Sequence, residues 1–332
     1  MGLMCGSDTA PRVACMTYLV TGGAGFIGSH LCETLLQRGE RVIAFDNFND
    51  YYSPERKRRN VAGLLDHLNF VLWEGDLRDP ASLLALFEQH RPSHVAHLAG
   101  MANPRYSLQY PALYSAVNVE GSVNVWQAAI QYGIQAFVQA STSSVYGLAP
   151  TPWHEELATD RPLSPYAATK KASELLAYTF HYQTQIPTRV VRFFTVYGPK
   201  GRPDMTPTIF VEAMRKQEPI VLYNGGVDVY RDWTYVDDIV SGVIAVLDSD
   251  RAFDIFNLGN STPVMLRSFI DTLQAITGLN AIIEAKPLSS ADPPITFADT
   301  SKAQQLLGWK PTIDIEDGLE RYWHWYKTEY DC

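Results

Sequence analysis

Short continuous apolar runs alternate along the chain with stretches whose apolar residues recur at helical spacing. Residues 18–21 form the first run, and 26–37 read as the helix that follows it. The same pattern predicts strands at 41–46, 70–73, 94–99, 136–140 and 189–194. Between 70–73 and 94–99, Leu83, Leu84, Leu86 and Phe87 mark another helix. Strands apolar on both faces, joined by helices, describe a parallel sheet covered on both sides, the doubly wound α/β class. After Tyr197 the texture changes, as Pro and Gly become frequent and the alternation stops. Residues 236–247 then read as a helix able to return to the sheet. A smaller, discontinuous α/β lobe is therefore expected from 191–228 and 261–332, beside a main domain from 16–190 and 229–260.

Composition narrows the class. Of 332 residues, 46% are hydrophobic and 19% charged, which excludes a disordered polypeptide. A net charge of −9 lacks the basic footprint of a non-specific nucleic-acid binder. No apolar run approaches the ~20 residues that span a bilayer, so no membrane partner is expected. Cys5, Cys15, Cys32 and Cys332 are too few for a disulfide framework and make no CxxC pair, so no metal centre is expected. That cysteine usage fits a reducing cytoplasm. Residues 1–15 lack the apolar core of a signal peptide and read as a flexible leader.

The first chemical signal is a glycine loop. Gly22, Gly25 and Gly28 lie between the first strand and the first helix, at i, i+3 and i+6. Glycine lets the backbone turn tightly and approach a pyrophosphate, which the helix start at Phe26 and Ile27 then stabilises. Alone, a glycine trio is as well explained by a tight turn. Asp46 strengthens the reading, because it ends the next strand, with Asn47 beside it. A carboxylate there accepts hydrogen bonds from ribose hydroxyls and repels a 2′-phosphate, so NAD is the expected cofactor on a Rossmann-type sheet. The basic run Arg56, Lys57, Arg58 and Arg59 reads as a solvated helix face.

The second signal is Tyr166 with Lys170, four residues apart on a helix that begins near Pro165. They share a helix face. A lysine ammonium beside a phenol lowers the tyrosine pKa and makes a base usable near neutral pH. Such a pair is often only a surface contact. Here the hydroxyl run Thr142, Ser143 and Ser144 follows the fifth strand, at the edge where doubly wound sheets bind ligands.

Taken together, the glycine loop, Asp46, Gly75-Asp76-Leu77, His97-Leu98-Ala99, the hydroxyl run and the Tyr166/Lys170 pair resemble the extended short-chain dehydrogenase/reductase family. The resemblance runs from Met16 to the C-terminus and is greatest to the nucleoside-diphosphate-sugar 4-epimerases of that family. It implies that Asp76 and Leu77 flank the adenine, and that Leu98 and Ala99 flank the cofactor ribose and pyrophosphate. It implies Tyr166 as the base, Lys170 as its partner and nicotinamide-ribose ligand, and Thr142 as the second hydroxyl at the sugar 4-OH. It also implies a homodimer formed through the helices at 117–132 and 165–182, which carry Val117, Val125, Trp126, Ile130, Leu175, Leu176, Tyr178 and Phe180. Packing against the sheet accounts for the same apolar content.

Substrate choice rests on the same resemblance. Dehydratases and decarboxylating relatives place acids where Ser143 and Ser144 stand, so dehydration is disfavoured. The stretch Phe193-Phe-Thr195-Val-Tyr-Gly-Pro199, followed by Arg202-Pro-Asp204-Met205, resembles UDP-glucuronate 4-epimerases. Ser143, Ser144, Thr195 and Arg202 are then expected to form a sugar-carboxylate pocket, since hydroxyls and a guanidinium suit that anion. Arg105 also matches the family pattern, and Arg231 is expected at the diphosphate unless it forms a rim salt bridge with Asp232. One departure concerns the sugar loop: Asn103-Pro104 replaces the Gly-Val that often precedes Arg-Tyr-Ser. The implied activity is NAD-dependent C4 epimerisation of a UDP-sugar, foremost UDP-glucuronate. UDP-glucose or UDP-N-acetylhexosamine epimerisation, a one-way reductase and a non-catalytic dinucleotide sensor are the alternatives.

Overall fold

The computed structural model describes residues 16–287 and 294–330. The leader reading at 1–15, with Cys5, Cys15 and Cys332, lies outside the described residues. Six strands form in the first part of the chain: β1 Thr17–Thr21, β2 Arg41–Asp46, β3 Phe70–Glu74, β4 His94–His97, β5 Ala136–Thr142 and β6 Thr188–Phe193. Then come β7 Thr195–Tyr197, β8 Pro219–Tyr223, β9 Tyr230–Tyr235, β10 Phe253–Leu258, β11 Pro263–Met265, β12 Ile282–Lys286 and β13 Ile295–Thr296. The main sheet runs β3-β2-β1-β4-β5-β6-β10, and every neighbouring pair in it is parallel. It is the doubly wound α/β sheet that the apolar runs predict.

The expected strand 94–99 stops at His97, because Leu98 and Ala99 turn out along the sheet edge while still bonded to Thr21. The expected strand 136–140 continues to Thr142, since Ser141 and Thr142 keep their places beside Arg192 and Phe193. Their hydroxyls hide the strand from an apolar pattern. The helix Phe26–Gln37 has the predicted bounds, and so has Val236–Leu247.

A smaller sheet sets β9 between β11 and β13, with β7 also paired to β9, while β8 and β12 make a separate parallel pair. Residues 230–235, within the span 229–260 expected in the main domain, pair in the smaller sheet. In β9, Trp233 and Tyr235 are buried beside the charged pair Arg231 and Asp232. One apolar cluster joins the two parts, from Leu31 and Leu35 of the first helix to Trp233 and Tyr322 of the smaller lobe. On the opposite face of the sheet, Trp126 stacks on Phe137 at 3.9 Å. Among the described residues, no helix is long and apolar enough to cross a membrane.

Candidate active site

Strand order reverses between β1 and β4, and ligands of such sheets bind at the carboxyl ends beside that reversal. The glycine loop leaves β1 there. Gly22 has φ +70°, and a Cβ on it would stand 3.0 Å from the backbone of Ala99. A Cβ on Gly28 would lie 2.1 Å from the Gly22 carbonyl oxygen, so the helix start packs directly on the loop. Side chains are excluded from both positions, and the backbone is left bare for a ligand.

A cavity of about 580 Å³ follows this edge. At one end it is lined by Gly22, Gly25, Phe26, Ile27 and Gly28, with Asp46, Asn47, Asp76 and Leu77 opposite and Leu98 and Ala99 between. At the other end stand Thr142, Ser143, Ser144, Tyr166, Lys170, Thr195 and Arg202. A bare glycine cradle, a helix start and a carboxylate at the next strand end are the donor and acceptor set that a dinucleotide needs.

Asp46 is buried and accepts hydrogen bonds from the backbone N–H groups of Phe48, at 2.9 Å, and Ala24, at 3.3 Å. It is thus both a turn residue and a wall of the cavity. Burial pushes its pKa up, against the pull of Lys57 and the two N–H groups. Asn47 donates to Asp76 at 3.0 Å. Hydrogen bonds from Arg78 hold the Asp76 carboxyl well below the usual carboxylate range.

The basic run at 56–59 departs from the expected solvated face. Lys57 is 4% exposed, lines the cavity and donates to the Asn49 carbonyl at 3.0 Å. Arg56 donates to the Gly201 carbonyl, Arg58 pairs with Glu74 and Arg59 with Glu329. The overlooked signal is helical: Lys57 lies four residues before the buried Val61 and shares its face.

Tyr166 and Lys170 stand on the first turns of the helix Pro165–Thr184, whose start Ser164 caps by accepting from the Ala167 N–H at 3.2 Å. Both are nearly buried. Lys170 Nζ lies beneath the backbone of Gly100, 3.7 Å from where a Cβ would stand. Burial raises the Tyr166 pKa, while a hydrogen bond with Thr142 and the charge of Arg202 work to lower it. Burial draws Lys170 down to about 8, opposed by Glu174. The net shift of Tyr166 is thus upward, not the depression expected from Lys170, and the groups favouring phenolate are Thr142 and Arg202. One turn beyond Lys170, Glu174 accepts from Ser141 at 2.6 Å and from two nitrogens of Arg192 at 2.9 and 2.8 Å. These bonds lock the helix onto β5 and β6.

Thr142 accepts from the Ser144 N–H at 3.1 Å and so starts the turn Ser143–Tyr146. Thr195 opens β7, opposite Trp233 of β9. Arg202 donates through Nε and Nη2 to Asp204, at 2.9 and 3.2 Å.

Two expected site residues fall elsewhere. Arg105 is exposed on the helix Pro104–Gln109 and lies outside the cavity lining, while the preceding Pro104 is part of it. Arg231 is also outside the lining, and its Nη1 donates to the carbonyls of Tyr230 and Pro294 at 2.8 and 3.1 Å. No rim pair with Asp232 forms either, since that carboxylate is buried and accepts from the N–H groups of Asn260, Ser261 and Ala298. Sequence reasoning also overlooked Tyr51, Met101 and Tyr106 in the wall, and Tyr114, whose ring meets Tyr166 edge-on at 6.2 Å.

The chain is similar to known proteins. The family model for GDP-mannose 4,6 dehydratase matches residues 19–322. The chain is 42% identical over 315 residues to a UDP-glucuronate 4-epimerase of Thermodesulfobacterium geofontis, covering 95% of this chain and 97% of that one. It is 40% identical to UDP-glucuronate 4-epimerase 6 of Arabidopsis thaliana, covering 98% of this chain and 74% of the plant protein. Its fold matches the UDP-glucuronic acid 4-epimerase of Bacillus cereus, solved with UDP-glucuronic acid and NAD, with a TM-score of 0.88 and 33% identity over 95% of this chain and all of that one (100%).

Proposed function

The chain belongs to the extended short-chain dehydrogenase/reductase family represented by the GDP-mannose 4,6-dehydratase model, and from that membership we propose that it is an NAD-dependent UDP-glucuronate 4-epimerase. The observation that carries the substrate is the make-up of the inner end of the cavity. Thr142, Tyr166 and Lys170 meet there beside the hydroxyls of Ser143, Ser144 and Thr195 and the guanidinium of Arg202. Among the described lining residues the acids are Asp46, which ends β2, and Asp50 and Asp76, from the loops after β2 and β3. None of these lining acids comes from the segments that carry Thr142, Ser143, Ser144 and Tyr166, where a leaving hydroxyl would be protonated, which favours epimerisation over dehydration.

NAD, when bound, supplies a reversible hydride acceptor for C4. The residues of this chain do the rest. Asp46 holds the adenosine ribose, with Lys57 beside it, and the glycine loop faces the pyrophosphate. Asp76 and Leu77 bound the adenine, while Leu98 and Ala99 pack along the cofactor. Tyr166 takes the 4-OH proton as C4 is oxidised and returns it when C4 is reduced from the opposite face. Thr142 bonds the same oxygen, and Lys170 keeps the phenolate charge balanced. Ser143, Ser144, Thr195 and Arg202 hold the sugar carboxylate. The 4-keto sugar acid is a β-keto acid, which loses carbon dioxide when its C–carboxylate bond aligns with the carbonyl π system. Several fixed donors hold the carboxylate out of that alignment, an orientation effect.

Chromatography and NMR of the products of UDP-glucuronate, UDP-glucose and UDP-N-acetylglucosamine test the reading. UDP-galacturonate is the expected product of the first. A UDP-pentose as main product, or faster turnover of either neutral sugar, would refute it.

Asp46→Ala is expected to weaken NAD affinity and narrow the preference over NADP, each by about tenfold, because one charged ribose acceptor and one repulsive charge are lost. Titration of both cofactors measures this, and unchanged NAD affinity would leave Asp46 a turn residue only.

A homodimer and a cytoplasmic location belong to the same reading. Val125 and Trp126 are buried in the core, but Ile130, Leu175, Tyr178 and Tyr182 are exposed on the two helices expected to pair. Light scattering should give twice the chain mass, and Leu175→Glu with Tyr178→Glu should give the monomer. A wild-type monomer at micromolar concentration overturns the dimer.

A further inference from the structure

Three loops from different parts of the chain converge on one carboxylate at the sugar end of the cavity. Asp204, which follows β7, accepts from Arg202 Nε at 2.9 Å and Nη2 at 3.2 Å. It also accepts from the Tyr51 hydroxyl at 2.8 Å, out of the loop after β2, and from Asn103 Nδ2 at 2.9 Å, out of the loop after β4. Asn103 is itself fixed. Its Oδ1 accepts from the N–H groups of Arg105 and Tyr106, and its backbone N–H and carbonyl both bond the Tyr114 hydroxyl.

Arginine is long, and a mobile guanidinium must be ordered when a ligand binds. Here Nε and Nη2 are already bound to Asp204, so the plane of the guanidinium is set and Nη1 is the nitrogen left for a ligand in the cavity that Arg202 lines. We propose that Asp204, fixed by Tyr51 and by Asn103, is a positioning residue that aims Arg202 at the substrate carboxylate and so sets selectivity for a sugar acid. The inference rests on the UDP-glucuronate reading. It assigns Tyr51, Asn103 and Asp204 no contact with the substrate; they act through Arg202.

The test measures binding of UDP-glucuronate and UDP-glucose to the NAD-loaded protein by calorimetry, together with kcat and KM for UDP-glucuronate. Asn103→Ser keeps the helix cap and removes the amide donor. Asn103→Asp keeps the cap and sets a carboxylate against Asp204. Each should weaken UDP-glucuronate binding, Ser by about tenfold and Asp by more, mainly in KM, because one charge-assisted hydrogen bond is lost or reversed. UDP-glucose binding should change by less than about twofold, since the neutral sugar makes no call on a charged hydrogen bond from Arg202. In an Arg202→Ala background, Asn103→Ser should add nothing further, because the residue it positions is gone. Equal losses for both ligands, or an undiminished effect without Arg202, would show a merely structural role and overturn the proposal, as would unaltered binding in both variants. If the wild type itself does not prefer UDP-glucuronate, the substrate reading fails and this inference falls with it. If the wild type prefers it and the variants do not lose that preference, this inference alone fails.

Discussion

Tyr166→Phe should lower kcat on UDP-glucuronate by about 10²–10⁴-fold while NAD content and the circular dichroism spectrum stay as in the wild type. The phenol hydroxyl hydrogen-bonds Thr142 in a nearly buried site, and the ring packs edge-on against Tyr114. Phenylalanine keeps the ring and those apolar contacts, so folding and cofactor binding have no reason to fail. What disappears is the hydroxyl that takes and returns the 4-OH proton. Near-wild-type turnover in a well-loaded variant would remove Tyr166 from the chemistry.

The pH profile gives a second reading of the same group. Burial raises Tyr166, and burial draws Lys170 down to about 8. The form with neutral lysine and neutral phenol has lost as many protons as the form with ammonium and phenolate. Where catalysis needs the ammonium together with the phenolate, the share of that form rises with pH until the lysine begins to lose its own proton. In kcat/KM, activity should rise with pH on a limb centred near pH 8 and level off above it. The direction follows from the base having to be unprotonated. Tyr166→Phe should lose this limb. An acid limb centred above pH 9 contradicts the assignment.

How much of this was legible in the sequence depends on what each residue contacts. Strands buried on both faces announce themselves as apolar runs, so the order and extent of β1 and β2 followed from pattern alone. The glycine loop was legible because only glycine fits where a Cβ would meet a carbonyl at 2.1 Å. The tyrosine and lysine were legible because helical spacing fixes their shared face. Lys57 was not, since a run of four basic residues looks uniform until the helix sends Lys57 inward and its neighbours to Gly201, Glu74 and Glu329. Nor was the fate of Arg105 and Arg231. Their placement depends on a short local helix and on strand pairing across the smaller sheet, contacts distant or subtle in sequence. Asn103 was visible as an oddity, but its meaning required Asp204, 101 residues away.

Thr195→Asn should change substrate preference by roughly ten- to a hundredfold against UDP-glucuronate. Thr195 opens β7 and lines the cavity with Ser143, Ser144 and Arg202. Its short hydroxyl side chain leaves room for a carboxylate and offers it a donor. Asparagine fills that room and presents an amide better matched to neutral hydroxyls. A hydrogen bond to a charged group contributes about 1.5–3 kcal/mol, which corresponds to that range of selectivity. The loss should appear in the ratio of kcat/KM for UDP-glucuronate to that for UDP-glucose, because discrimination is a difference in transition-state binding. The competing account makes Thr195 a strand residue whose place opposite Trp233 is what matters. Asparagine would then disturb β7 and lower both specificity constants by one factor. A constant ratio would take Thr195 out of the carboxylate pocket and leave Arg202 and the two serines to account for recognition of the acid.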